Sequence, residues 1–202
     1  SYEAGFKLDL ADGRARLNGG IYYYDYEDYQ GFFFTGLVQS VDNLPAEAYG
    51  AELELTMTPV DGLSIVLGGS YNENEVEDVG MPDGTRQTRE LPHAPDVTLN
   101  AMVRYEWNLA RGRLAVQGAI DYASEFCFSL VCHRTEERDD LTLANARISY
   151  SSAGDRWTLA MHVQNLTDED YLAHAQDISS SGFAIPVPGR PRWYGATLTY
   201  RF

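Results

Sequence analysis

Lysine occurs only once in these 202 residues, and the formal net charge is −15. So acidic a chain is not a nucleic-acid binder, because nucleic acids are bound by basic surfaces. Long apolar runs are also missing, and no stretch approaches the roughly 18 consecutive apolar residues of a transmembrane helix. The first residues lack the charged and apolar regions of a signal peptide. We therefore expect the numbering to begin at a mature residue or inside a longer chain.

The chain is rich in aromatic residues, with 14 Tyr, 8 Phe and 3 Trp. In its last stretch, apolar residues occupy every second position from Tyr194 to Phe202. A period of two predicts a β-strand with one apolar and one polar face. At the edge of a soluble β-sandwich such a strand would promote aggregation. In an outer-membrane barrel it closes the wall and faces lipid, and the pattern favours this second interpretation.

The same alternation recurs along the whole chain and predicts about nine strands. Their connections alternate between short turns, at 12–13, 59–62, 108–112 and 151–156, and long segments, at 31–47, 73–92, around the two cysteines, and at 168–189. A soluble sandwich has no reason to place every long loop at one end. We therefore predict an all-β fold, an antiparallel up-and-down transmembrane β-barrel segment with short periplasmic turns and long extracellular loops. Its C-terminus would lie on the periplasmic side.

Aromatic residues mark both ends of the apolar faces. Amphipathic rings suit the headgroup level of a membrane, so their clustering at two heights predicts two aromatic girdles. The girdle beside the short turns would contain Tyr105, Trp107, Tyr150, Trp157, Tyr200 and Phe202. The opposite girdle would contain Tyr23, Tyr49, Tyr71 and Tyr122.

Four segments resemble TonB-dependent outer-membrane receptors. They are Ala48-Tyr-Gly-Ala-Glu-Leu-Glu-Leu55 with Pro59-Val-Asp-Gly-Leu63, Leu91-Pro-His-Ala-Pro95, Val163-Gln-Asn-Leu-Thr-Asp-Glu-Asp-Tyr171, and Pro188-Gly-Arg-Pro-Arg192 with the terminal Tyr-Arg-Phe. The segments follow the order of the family and extend over the chain from end to end. The chain is thus similar to the C-terminal β-barrel portion of such a receptor.

The resemblance implies active, TonB-energised uptake of a scarce large nutrient, captured by extracellular loops. An iron–siderophore complex is the first candidate, with cobalamin or an oligosaccharide as others. Barrels of this family have 22 strands and a plugged lumen. About nine strands would form only part of such a wall. We therefore expect residues 1–202 to be the C-terminal part of the receptor barrel, with the plug domain and the TonB box absent from it. A fragment, a truncated gene product and one piece of a split receptor remain open.

The resemblance also implies the partners. They are outer-membrane lipid and lipopolysaccharide, the remainder of the receptor barrel and its plug, TonB through the missing N-terminal part, and the barrel-assembly machinery through the C-terminal strand. The location is the outer membrane of a Gram-negative bacterium. The alternative is a small self-contained outer-membrane barrel that acts as a passive pore or an adhesin.

Motifs of enzymes are missing. No His-Glu-x-x-His, Gly-x-Ser-x-Gly, Walker or dinucleotide-binding motif occurs, and His93, His162 and His174 are scattered. A lipase or protease attached to the barrel would need a Ser/His/Asp arrangement, which the pattern does not provide. We predict no enzymatic activity, no catalytic residue, no resident metal and no cofactor.

Polar residues of the strands would face the lumen, where they form a solvated surface with cross-strand ion pairs or plug contacts. They are Glu52, Glu54, Arg104, Glu106, Asp121, Arg147 and Arg201. In the long segments, Glu73, Glu75, Glu77 and Asp78 would either bind divalent cations at the lipopolysaccharide layer or remain solvated.

Two further groups lie in the predicted extracellular loops. Cys127 and Cys132 predict a disulfide, because the cell surface is oxidising. A metal site with His133 is the alternative, although two Cys and one His do not complete a structural zinc site. Candidate ligand-binding residues are Tyr29, Phe32, Phe33, Phe34, His133 and Arg134. The aromatic ones would either stack on a flat ligand, such as a catecholate or a sugar, or pack within the loops.

Overall fold

The computed structural model describes residues 1–35, 38–178 and 181–202, with the side chains of residues 34 and 35 outside the described part. Its strands are β1 Tyr2–Leu10, β2 Ala15–Thr35, β3 Val38–Met57, β4 Leu63–Gly80, β5 Arg86–Arg89, β6 Val97–Leu109, β7 Gly112–Ala123, β8 Phe126–Cys127, β9 Glu137–Arg138, β10 Leu141–Ser152, β11 Trp157–Gln164, β12 Leu172–Ile178, β13 Phe183–Pro188 and β14 Trp193–Tyr200. A single 3₁₀ turn, Ala153–Asp155, separates β10 from β11. In these residues, no helix has both the length and the apolar character that crossing a membrane requires.

The main sheet is an antiparallel meander. Its strands pair in the order β1-β2-β3-β4-β6-β7-β10-β11-β14, and β5 adds to β4 beyond this path. The pairs β8–β9 and β12–β13 form two small separate sheets. Within the described residues, β1 and β14 each have one neighbour and do not pair with each other. The sheet is therefore open, with nine strands on its main path, which confirms the predicted fold class.

The strand pairing keeps the predicted apolar face and the predicted polar face continuous from one strand to the next. One row of directly paired residues is apolar and contains Leu17, Leu55, Leu67, Ala101, Ile120 and Ala144. The row one residue away is mainly polar and contains Asn18, Glu54, Gly68, Asn100 and Asp121. We name the apolar side the outer face and the other side the inner face. Large apolar side chains of the outer face are solvent-exposed, for example Leu99 at 54% and Leu198 at 70%. A continuous exposed apolar surface of this kind indicates contact with lipid or another partner.

Aromatic pairs lie at the short-turn end of the outer face. Tyr105 packs on Trp107 with ring centroids 4.5 Å apart, and Tyr150 packs on Trp157 at 5.3 Å. At the last strand, Tyr200 and Phe202 meet at 5.2 Å. At the opposite level, Tyr23 lies directly across from Tyr49. Tyr71 and Tyr122 pair with the first residues of β6, Val97 and Leu99. The positions suit two girdles, and their role at a membrane interface stays a prediction.

Ion pairs occupy the inner face near the short turns. Arg104 contacts Glu106 at 2.9 Å, and Arg113 contacts Glu106 at 3.8 Å and Asp155 at 2.7 Å. Because these side chains are partly exposed, each pair contributes at most about 1 kcal/mol to stability. The network gives this end of the inner face a defined polar surface.

Two predicted long loops are strands instead. The ladder of β2 and β3 continues beyond Tyr29 and Leu44 to the pair Thr35–Val38, with a register shift between Tyr26 and Tyr29. Strand β4 likewise continues to Gly80 and pairs with β5. The segments 31–47 and 73–92 were predicted as long connections, and no strands were assigned within them. Burial of alternate apolar residues explains the difference, since these residues give each extension a packed face.

Candidate functional site

Four segments project from the end of the sheet opposite the short turns. They are the β2–β3 extension (24–47, apart from the undescribed residues), the β4–β5 hairpin (73–91), the Cys loop (124–140) and the β12–β13 hairpin (171–189, with the same restriction). We call these four segments together the loop cap. They are distant in sequence, so the contacts between them decide whether they act as one body.

The loop cap has its own apolar core. The buried residues Leu44, Ala46, Val76, Val79 and Leu130 come from three of the four segments and pack together. Partly buried Tyr29, Phe33, Met81 and Leu91 cover this cluster. Burial raises the pKa of the Tyr29 phenol above its ordinary value. Because the cluster joins the β2–β3 extension, the β4–β5 hairpin and the Cys loop, these segments form one packed unit.

The Cys loop is closed by a disulfide between Cys127 and Cys132, whose Cα atoms are 5.4 Å apart. Inside the closed loop, Leu130 reaches the β2–β3 extension beside Gly31. A Cβ atom at Gly31 would lie 2.9 Å from Leu130 Cδ1, so a larger residue there would require the Leu130 side chain to shift. From β5, the Arg89 guanidinium donates to the Leu130 carbonyl at 3.4 Å and to the Val131 carbonyl at 2.9 Å. The loop is therefore held from two sides.

A buried carboxylate, Glu136, joins the Cys loop to the β12–β13 hairpin. Its side chain is only 4% exposed, and it accepts hydrogen bonds from the Ser129 hydroxyl at 2.6 Å and the Asp177 backbone N–H at 2.8 Å. The backbone N–H of His133 donates to it at 3.3 Å. Beside it, the Thr135 hydroxyl donates to Asp177 Oδ2 at 2.6 Å. Leu130 joins the Cys loop to the apolar core. Glu136 joins the same loop to the fourth segment, the β12–β13 hairpin, through hydrogen bonds.

Basic and aromatic side chains of the Cys loop and the β12–β13 hairpin meet His93, which lies in the connection between β5 and β6. His93 and His174 stack with parallel rings whose centroids are 6.2 Å apart, and both rings lie against Phe128, at 5.2 Å and 5.4 Å. Arg138 lies over the Phe126 ring at 4.0 Å. Burial lowers the pKa of the His93 imidazole, and the charges of His174 and Arg138 lower it further. We call these five residues the cationic cluster.

A cavity of about 470 Å³ lies between the β4–β5 hairpin and the Cys loop. Five of its lining residues are acidic: Glu73, Glu75, Glu90, Glu125 and Glu137. Among the described residues, no group of three or more metal-ligating side chains has the geometry to hold a metal ion. The lining of this cavity is therefore strongly acidic.

The structure separates the predicted ligand-binding residues by environment. Tyr29 and Phe33 pack against the apolar core, whereas Phe32 is 54% exposed. The Phe34 side chain lies outside the described part. His133 is half-buried and Arg134 is exposed, both in the Cys loop. Ligand contact by these six residues stays a prediction, and packing accounts for two of them.

Sequence reasoning missed the residues on which the loop cap depends. Glu136 and Arg138 were not singled out, and His93 and His174 were regarded as scattered histidines. Each lies in an irregular or short element with no periodic pattern, and their contacts join segments that are about 40 residues or more apart in the chain. No local signal in the sequence identifies such contacts.

Removing the disulfide tests how far the Cys loop depends on it. In the double variant Cys127→Ser/Cys132→Ser, we expect the loop cap to lose about 2 kcal/mol of local stability, because an open loop gains conformational entropy. Hydrogen exchange of the Phe128 and Leu130 amides should accelerate, while exchange in β6 and β7 stays unchanged. The reduced unmodified protein should match the variant. Equal exchange in all three samples would contradict a stabilising role of the disulfide.

The fold and its surfaces define a class, an antiparallel wall of the outer-membrane barrel type with a packed cap of long connections. A family model described as "TonB dependent receptor-like, beta-barrel" matches residues 1–166. The chain therefore belongs to the family of TonB-dependent receptor β-barrels. Members of this family are outer-membrane proteins of Gram-negative bacteria, and they are receptors and transporters rather than enzymes.

Solved structures of outer-membrane receptors share this fold, and three of them serve as examples. The ferric yersiniabactin uptake receptor FyuA of Yersinia pestis is 20% identical with a TM-score of 0.80, over 98% of this chain and 29% of FyuA. The ferric-catecholate import receptor Fiu of E. coli K12 is 20% identical with a TM-score of 0.71, over 97% of this chain and 26% of Fiu. The ferric preacinetobactin receptor BauA of Acinetobacter baumannii is 19% identical with a TM-score of 0.68, over 97% and 28%. At this identity the likeness shows the fold alone, and the chain spans less than a third of each structure.

Proposed function

We propose that the chain is the C-terminal part of the barrel wall of an outer-membrane receptor for active, TonB-energised uptake of a scarce large nutrient. An iron–siderophore complex is the first candidate ligand. The loop cap captures the ligand on the extracellular side, and the ligand passes along the inner face through a plugged lumen. The plug domain and the TonB box belong to a part of the receptor outside residues 1–202.

The observation that carries this proposal is the register of the nine main-path strands. It combines a continuous exposed apolar outer face with a polar inner face, and it leads at one end into the packed loop cap. A soluble protein has no use for an apolar face on the outside. Family membership and solved neighbours that are siderophore receptors support the same interpretation.

The open edges support the assignment to a larger wall. A sheet edge in lipid is not stable, because unpaired backbone groups have no water to bind there. In the described residues, β1 and β14 are such edges. We propose that the remaining strands of the receptor barrel pair with both, with the C-terminus on the periplasmic side. A chain in this wall would also contact outer-membrane lipid and lipopolysaccharide, and its C-terminal strand would be recognised by the barrel-assembly machinery.

Iron-limited growth tests this function. The gene that encodes the chain is deleted in its native host, and cells are supplied with single ferric siderophores as the only iron source. We expect growth on one ferric siderophore to be lost, to return with the intact gene, and to require TonB. Unchanged growth on every ferric siderophore, with loss of uptake of cobalamin or an oligosaccharide, would replace the ligand class. Uptake that continues without TonB would contradict the energised mechanism.

The alternative of a small self-contained barrel is tested by mass. An antibody against the Cys loop detects the native protein in outer-membrane fractions. A band several times the 22.6 kDa of this chain would support the larger receptor. A band at 22.6 kDa in the membrane would instead favour a small barrel or a split receptor.

A further inference from the structure

The guanidinium group of Arg138 has no acceptor for one of its two edges. Its Nε and Nη2 atoms are buried and make no hydrogen bond in the described part of the chain. These two nitrogens lie side by side on the planar group, in the geometry that donates two parallel hydrogen bonds to one carboxylate or phosphate. Buried donors in native proteins almost always have a partner, so an unused pair indicates a missing acceptor.

The chain itself does not supply this acceptor, although it contains 30 acidic residues. In the described residues, no carboxylate comes within salt-bridge distance of Arg138, whereas four other arginines are ion-paired. The neighbouring Glu136 is engaged by Ser129, His133 and the Asp177 N–H. Arg138 is instead placed over the Phe126 ring by its direct cross-strand pairing in β8–β9.

The surroundings of Arg138 are also suited to negative charge. The groups that act electrostatically on His93 are His174, from the β12–β13 hairpin, and Arg138, from the Cys loop, and both disfavour its proton. Burial lowers the pKa of Arg138, and the Tyr171 phenol has a weaker opposite effect. An anion bound between these groups would relieve their mutual repulsion and favour protonation of His93.

We propose that the Arg138 edge, flanked by His93 and His174, is a subsite for an oxyanion group of the captured ligand, a carboxylate or a phosphate. The group binds through two parallel hydrogen bonds from Nε and Nη2, while the guanidinium stays over the Phe126 ring. Both nitrogens are buried in the ligand-free loop cap, so an incoming group must displace the side chains that cover them. The subsite deepens the proposed function and rests on it, since it places part of ligand recognition in the loop cap.

Sulfate is the probe, because it is an oxyanion whose charge stays constant between pH 5.5 and 7.5. Calorimetry with the protein purified from membranes measures its affinity. We expect Arg138→Lys to weaken sulfate binding at least tenfold, since an ammonium group keeps the charge but loses the paired donors. The matched control is Arg86→Lys, in exposed β5, where the side chain donates to the Asp78 carbonyl. It should leave the affinity unchanged.

The pH dependence gives a second readout. Sulfate should bind more tightly at pH 5.5 than at 7.5, because His93 gains its proton below the ordinary imidazole range. The double variant His93→Gln/His174→Gln should still bind sulfate and lose this pH dependence. If Arg138 had a purely structural role, sulfate would not bind more tightly at low pH, and the histidine double variant would not change the pH dependence.

Three outcomes would overturn the subsite. They are no sulfate binding by the unmodified protein, equal weakening by both lysine variants, and affinity that is independent of pH. Phosphate groups of lipids offer the same chemistry, so vesicles with and without anionic phospholipid are compared. An Arg138→Lys effect on vesicle binding alone would assign the site to lipid and reject a soluble ligand. Because sulfate binding is measured without transport, these results are distinct from a failure of siderophore-dependent growth.

Discussion

Replacing Val103 by arginine should prevent assembly of the sheet into a membrane. Val103 lies midway along β6 on the outer face, is 46% exposed, and pairs with Ile65 and Gly118 on the adjacent strands. An arginine on the lipid side near the bilayer centre costs about 2–4 kcal/mol. We expect the folded fraction in the outer membrane to fall at least tenfold, measured as the band that resists unfolding in detergent without heating.

The neighbouring position provides the matched control. Met102 belongs to the same strand and faces inward, where it pairs with Val66 and Ala119. An arginine already occupies the inner face two residues further on, at Arg104. Met102→Arg should therefore assemble with a yield within about twofold of the unmodified protein, since inner-face substitutions do not face lipid. If the two variants assemble equally well, the outer face does not meet lipid.

The different expectations for Val103 and Met102 follow from the alternation of strand residues between the two faces, which the sequence predicts well. In a strand, each residue alternates faces, so local order alone assigns Val103 outward and Arg104 inward. The short turns also have local signals, because Asp12-Gly13 and Pro59-Val-Asp-Gly62 contain residues suited to tight turns. The observed register then follows, since a one-residue slip would reverse both faces of a strand.

The loop cap shows where such reasoning fails. Its strands β2 and β4 continue past the expected boundaries because Leu44, Val76 and Leu130 pack together from three distant segments. A local pattern contains no information on which segments meet. The same is true of Arg138 and His93, which interact although they are 45 residues apart in the chain. His93 lies in Leu91-Pro-His-Ala-Pro95, a segment that carries the family resemblance, but the resemblance gave no contact for it, and Arg138 lies outside all of these segments.

Replacing Glu136 by alanine should detach the β12–β13 hairpin from the Cys loop. The substitution removes the acceptor of the Ser129 hydroxyl, the His133 N–H and the Asp177 N–H. Unsatisfied buried donors cost about 1–3 kcal/mol each, so we expect a local loss of about 3 kcal/mol, or about a hundredfold in the opening equilibrium. Hydrogen exchange of β12 and of residues 129–136 should accelerate by that factor, while β6 and β7 stay unchanged.

The adjacent carboxylate separates this contact from a general effect of charge. Glu137 is exposed and lines the acidic cavity, so Glu137→Ala removes the same charge without removing a buried acceptor and should leave exchange of β12 within about twofold. Glu136→Gln, which keeps one acceptor oxygen, should fall between the two. If Glu136→Ala and Glu137→Ala have equal effects, the hairpin is held by the Thr135–Asp177 hydrogen bond and the Phe128–His174 ring contact instead. If only Glu136→Ala opens the cap, siderophore-dependent growth of that variant will report whether capture needs the four segments to be joined.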